Sequence, residues 1–64
     1  STLENKNKFY VSEWNRRANS PLEYGSLLYS QPIDYQYHID YGMEVNYLLF
    51  MYFEFFQKKY KQRL

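Results

Sequence analysis

Val45-Asn46-Tyr47-Leu48-Leu49-Phe50-Met51-Tyr52-Phe53-Glu54-Phe55-Phe56 is the stretch on which the fold turns, because only Asn46 and Glu54 in it are strongly polar. Its Leu, Met and Glu, with the Gln and Lys that follow, favour a helix. Glu54 and Lys58, one turn apart, add an ion pair to that reading. The helix is expected to run from Met43 to about Arg63, roughly 30 Å at about 1.5 Å per residue. Asp40 is a candidate cap, and Lys58, Lys59, Lys61 and Arg63 complement the dipole at the far end. Wound this way, Val45–Phe56 is apolar nearly all round, as in a helix buried on most sides. Its longest unbroken apolar run, Tyr47–Phe53, has seven residues, far below the roughly 20 needed to span a bilayer. The segment therefore calls for cover from protein or from a membrane interface.

The residues just upstream carry a different period. Ile33-Asp34-Tyr35-Gln36-Tyr37-His38-Ile39-Asp40-Tyr41 places Ile or Tyr at every odd position and a polar residue at every even one. That alternation predicts an extended, β-type segment at about 33–41. A lone strand leaves backbone groups unpaired on both edges, so it needs a partner's sheet edge, its own copy, or a surface to lie along. A hairpin of 33–41 with 43–56 is the α+β alternative. A helical face of Ile33, Tyr37 and Tyr41 is a third reading.

Farther out, Tyr10, Trp14 and Ala18, with Val11, form one stripe at the helical period and predict a first helix over about Leu3–Ala18. Ser1 with Glu4, or Thr2 with Asn5, are candidates for its cap, Glu13 and Arg17 support another face, and Asn19 and Ser20 stop it. Ser20-Pro21-Leu22-Glu23 has the order of a capping box with Pro at the first helical position. A second helix is expected from Pro21 to about Tyr29, weakened at Gly25, with Leu22, Leu28 and Tyr29 inward and Ser26 and Ser30 as helix residues. Pro32 ends it by forcing Gln31 out of helical geometry. The expected fold class is thus mainly α, two short N-terminal helices and a longer C-terminal helix, with the one extended segment, all in a single small domain over 1–64.

A 64-residue chain buries only about 60 % of the surface its unfolded form exposes. With no Cys and one His, neither a disulfide nor a thiolate metal site is available, which leaves association as the usual remedy. Nine Tyr and five Phe sharpen this point, since a core this small has few places where so many phenolic hydroxyls find partners. Tyrosine suits a half-wet contact surface better. The net charge of +1 makes no global case for nucleic acid. Its distribution is basic, acidic, basic: Lys6, Lys8, Arg16 and Arg17 near the start, only Glu and Asp over 18–56, and the four cations of the tail. No apolar leader segment is visible, so the expectation is an intracellular, non-secreted chain.

Tests for catalytic motifs come out negative. Gly25 and Gly42 cannot make a phosphate loop. His38 has Asp40 two residues on, but no nucleophile or oxyanion site accompanies it. Asp34, Asp40 and Glu44 are too sparse for a hard-cation loop. The residues imply a non-enzymatic interaction protein without cofactor, metal or small-molecule substrate, either a small accessory subunit of a larger assembly or a small dedicated binder, with a protein partner or self-association expected. Its expected contact residues are Tyr35, Tyr37, Tyr41, Tyr47, Phe50, Met51, Phe53, Phe55 and Phe56, with Lys58, Lys59, Lys61 and Arg63 as candidate phosphate or headgroup contacts. A membrane-interface component, a small virus-encoded inhibitor and a nucleic-acid binder using Lys6, Lys8, Arg16, Arg17 and the tail are the alternatives.

Overall fold

The computed structural model describes residues 2–25 and 27–64 and contains three helices: α1 Thr2–Ala18, α2 Pro21–Tyr24 and α3 Gly42–Tyr60. The expected cap at Ser1 and the helical placement of Ser26 lie outside the described residues. α1 and α3 lie side by side and run parallel. Asn7 meets Asn46 near their N-terminal ends, the Trp14 and Phe56 rings meet at 4.7 Å farther along, and Arg17 reaches the Arg63 carbonyl beyond the far end. Parallel neighbours need a long connection, and residues 27–41 form a strap that runs back over the pair.

Two buried asparagines fix this register. Asn7 is 0 % exposed and its Nδ2 donates to the Asn46 carbonyl at 2.8 Å and to Asn46 Oδ1 at 3.0 Å. Asn46 Nδ2 donates to the Gly42 carbonyl, and the Tyr35 hydroxyl donates to Asn46 Oδ1 at 2.6 Å. Among the described residues, Asn7 Oδ1 is the buried side-chain atom left without a hydrogen-bond partner. A buried amide pair gives up stability relative to leucine, and it penalises every sliding of one helix along the other.

The strap corrects the sequence expectation. Among the described residues there is no strand, so neither the β segment at 33–41 nor the hairpin with 43–56 forms. What the alternation misses is the source of backbone pairing. The Asn15 side chain accepts from the Ile33 N–H at 2.7 Å and donates to the Ile33 carbonyl at 3.0 Å. One side-chain amide on α1 thereby does for Ile33 what a neighbouring strand would do. Next to it the Trp14 indole N–H donates to the Gln31 carbonyl at 2.9 Å. Ile33 and Tyr35 turn inward as their odd positions require, and then a turn with the Ile39 N–H on the Gln36 carbonyl breaks the period and leaves Tyr37 and Ile39 exposed. Tyr41 returns to stack on Tyr35 at 5.0 Å and accepts the Gln36 N–H. Asp40 Oδ1 takes the Gly42 N–H, and Gly42 starts α3 at φ +84°, the left-handed region that glycine enters without strain.

The helix ends also differ from expectation. α2 stops at Tyr24 because Gly25 turns out at φ +77°. The capping box does not form: the Ser20 hydroxyl donates to the Arg16 carbonyl of α1. Leu22 points to solvent, while Leu28 and Tyr29 do pack inward. α3 ends at Tyr60 rather than Arg63. Lys61 adopts a left-handed conformation and donates to the Gln57 carbonyl, and the tail folds back so that Leu64 meets the core.

That core comprises Val11, Trp14, Tyr29, Phe53 and Phe56. Trp14 is its hub, edge-on to Tyr29 at 5.0 Å and to Phe56 at 4.7 Å. Burying such rings is the largest apolar contribution available to a chain of this size. The hydroxyls are satisfied after all. Tyr10 donates to Glu54, Tyr29 to Gln62 and Tyr35 to Asn46, while Tyr24 accepts from Arg16 and Tyr41 from the Gln36 backbone. Tyr37, Tyr47, Tyr52 and Tyr60 face solvent.

Candidate interaction surface

α3 presents two faces of different fate. Asn46, Leu49, Phe53 and Phe56 lie on the inner seam against α1 and the strap. Leu48, Met51 and Phe55 lie on the opposite side, 59 %, 44 % and 59 % exposed, with Val45, Tyr47 and Tyr52 flanking them in solvent. Glu44 stands on this outer line one turn before Leu48, and Lys58 and Lys59 end it one turn after Phe55. The Lys59 ammonium sits 5.5 Å from the centre of the Phe55 ring. The positions 44, 48, 51, 55 and 58 alternate steps of four and three, the spacing of a coiled-coil seam. α1 and the strap both occupy the inner side, and the outer stripe stays exposed among the described residues.

The expected contact residues divide accordingly. Met51, Phe55 and Tyr47 are exposed on α3, and Tyr37 is exposed on the strap, 5.9 Å from the Lys8 ammonium. Tyr35 and Tyr41 are half-buried and hold the strap to α3. Phe50 is half-buried under Lys6 and beside Tyr10. Phe53 and Phe56, 0 % and 3 % exposed, belong to the chain's own core and offer no surface. Lys58 and Lys59 extend from the last turn of α3, Lys61 is exposed beyond it, and the Arg63 backbone is held by Arg17. Val45, Leu48 and Tyr52 join the surface although the sequence reading did not single them out. The seam spacing from Glu44 to Lys58 is the signal that would have found Leu48.

The strongest electrostatic cluster lies elsewhere and is structural. Glu13 accepts from Arg16 at 2.7 Å and from Arg17 at 2.7 Å, and these hydrogen bonds, Arg16 first, hold its carboxyl down at about 2. Arg17 also donates to the Tyr29 hydroxyl and to the Arg63 carbonyl and lies over the Tyr24 ring at 5.0 Å. One guanidinium thus ties α1, α2, the strap and the tail together. Burial, followed by the charge of Glu4, pushes the Tyr35 hydroxyl above its ordinary value. His38 is exposed on the turn, and Asp40, two residues on, is engaged with the Gly42 amide.

Among the described residues no group of three or more His, Cys, Asp or Glu is placed to hold a metal ion, and no helix is long and apolar enough to cross a membrane. An open groove between α1 and the tail is lined by Lys6, Phe9, Arg63 and Leu64. The outer stripe carries only apolar side chains between its charged ends. Such a surface can bury area against a partner. Comparison with curated proteins and with solved structures gives no match. The chain belongs to the DUF6146 family, a family of unknown function whose model matches it over residues 1–64.

Proposed function

We propose that this chain is a non-enzymatic protein–protein interaction module that docks through the outer face of α3. The observation that carries the reading is the second apolar stripe, Leu48, Met51 and Phe55, exposed on a helix whose other face already closes the core. A helix that needed only to fold would carry polar residues there. Isolated exposed apolar residues are ordinary, but a contiguous, seam-spaced row of them marks a contact surface. Nucleic-acid binding is disfavoured because Arg16 and Arg17 are engaged with Glu13 and the tyrosines of α2 and the strap. A lipid surface is disfavoured because the stripe has its cations at one end only and begins at Glu44.

The test is site-specific photo-crosslinking in the native source. A photoreactive residue at position 48 or 55 is expected to give a discrete protein adduct, and one at the exposed position 12 on α1 to give none. Equal yields from all three positions, or no adduct from 48 and 55, refute the reading.

A further inference from the structure

The charges at the two ends of the outer stripe say what covers it. Glu44 precedes the apolar row and Lys58 and Lys59 follow it, so the row runs from an acidic to a basic end. Its centre lies at Met51 and Tyr52. A two-fold axis through that point, perpendicular to α3, carries Leu48 onto Phe55 and Glu44 onto the neighbourhood of Lys58 and Lys59. A surface related to itself in this way satisfies the condition for an isologous contact, in which each residue meets its counterpart across the axis.

Building on the interaction reading above, the geometry points to a second copy of this chain as the occupant, packed antiparallel on α3. Leu48 of each copy lies against Phe55 of the other, Met51 sits at the axis, and Glu44 of each pairs with Lys58 and Lys59 of the other. A parallel arrangement would set Glu44 against Glu44 and lysine against lysine, so the charges select one orientation. The side chains of the row together with the flanking Val45, Tyr47 and Tyr52 are about half exposed and can bury at most on the order of 600 Å² per copy, below the roughly 800 Å² per partner of a standard interface. The dimer is therefore expected to dissociate in the micromolar range, and less tightly at high salt, which screens the rim pairs.

Sedimentation equilibrium of the purified chain from about 1 µM to about 1 mM brackets that range and is expected to show a monomer–dimer equilibrium. Glu44→Lys makes both ends of the stripe basic, and the pair Lys58→Glu with Lys59→Glu makes both ends acidic. Each variant alone should lose about tenfold or more in self-association, because two attractive contacts become repulsive at once. Mixing the two variants should restore an equimolar heterodimer at least as tight as the original. Circular dichroism should show the same helix content throughout, since Glu44, Lys58 and Lys59 are all exposed.

A wild-type chain that stays monomeric over the whole range overturns the proposal. So does a dimer indifferent to the charge reversals, or a mixture that does not reassociate. Binding of the monomer to anionic vesicles in place of self-association overturns it in favour of a lipid surface. If the chain is monomeric yet residues 48 and 55 crosslink to a different protein, the interaction reading stands and the self-association falls. With neither crosslink nor dimer, both fall.

Discussion

Replacing Asn15 with Ala tests the device that takes the place of a strand. The clamp supplies two hydrogen bonds between α1 and Ile33, at 2.7 and 3.0 Å and partly shielded from water. At about 0.5–1.5 kcal/mol net for each, their loss costs about 1–3 kcal/mol. Alanine returns roughly 0.5 kcal/mol through its better helix propensity, so the expected net loss is about 0.5–2.5 kcal/mol. Against the roughly 3–5 kcal/mol that a core of this size supplies, that is a large fraction. The sign is diagnostic, because at an unclamped helix position the same substitution would be mildly stabilising. Asn15→Asp refines the test: it keeps an acceptor for the Ile33 N–H but sets a carboxylate oxygen against the Ile33 carbonyl, and it should also destabilise. Urea denaturation followed by Trp14 fluorescence gives the global change. Amide exchange at Ile33 gives the local one, expected to quicken about two- to sixtyfold at about 1.4 kcal/mol per decade. An Asn15→Ala chain as stable as the parent, or more so, with Ile33 exchange unchanged, would refute the clamp.

Two further predictions concern the cation cluster. Glu13 has its folded-state pKa lowered from the ordinary 4.5 to about 2, so it contributes stability that is present above about 4.5 and is lost as the pH falls towards 2. In parallel urea titrations the gap between the parent and Glu13→Gln should be constant near neutrality and close between those values; a gap that persists at pH 2 would contradict the assignment. Arg17→Lys keeps the charge but loses the fork that reaches Glu13, Tyr29 and Arg63 together, and should cost about 1–3 kcal/mol. Arg16→Ala, at a half-exposed side chain that pairs with Glu13 and the Tyr24 hydroxyl, should cost clearly less by the same titration because water screens it; equal losses from the two would refute the tying role of Arg17.

Much of α1 was legible because its packing residues are apolar and keep one period: Tyr10, Val11, Trp14 and Ala18 all face the core or its border. Asn7 extends that same line but is polar, and periodicity cannot tell a buried amide from a solvated one. The strap misled for a related reason. Its alternation is obeyed at Ile33 and Tyr35, where α1 and α3 take the inward side, and abandoned at Tyr37 and Ile39, where a turn intervenes. A strand is defined by what pairs its backbone, and here that partner is one side chain 18 residues away, which no local pattern encodes. The parallel course of α1 and α3 depends on the same strap and was equally invisible.

For the surface, the sequence showed that Val45–Phe56 carries more apolar residues than one seam uses. It did not show which of them the core consumes. Phe53 and Phe56 were read with Met51 and Phe55 as contact residues, yet a helix rotates them to opposite sides. Choosing between the two sets required knowing where α1 and the strap lie. The tyrosines misled in the other direction, because their partners Glu54, Asn46 and Gln62 are distant in sequence from the rings they satisfy.

The central claim is that one helix serves two purposes, its inner face closing the fold and its outer face left for a partner. Urea denaturation of Phe53→Ala and Phe55→Ala, side by side at low concentration, tests it most directly, since the two phenylalanines are two residues apart and 0 % and 59 % exposed. The expected loss for Phe53→Ala is about 3–5 kcal/mol, enough to leave most of the chain unfolded, and for Phe55→Ala no more than about 0.5 kcal/mol. Comparable losses at the two positions would contradict the account.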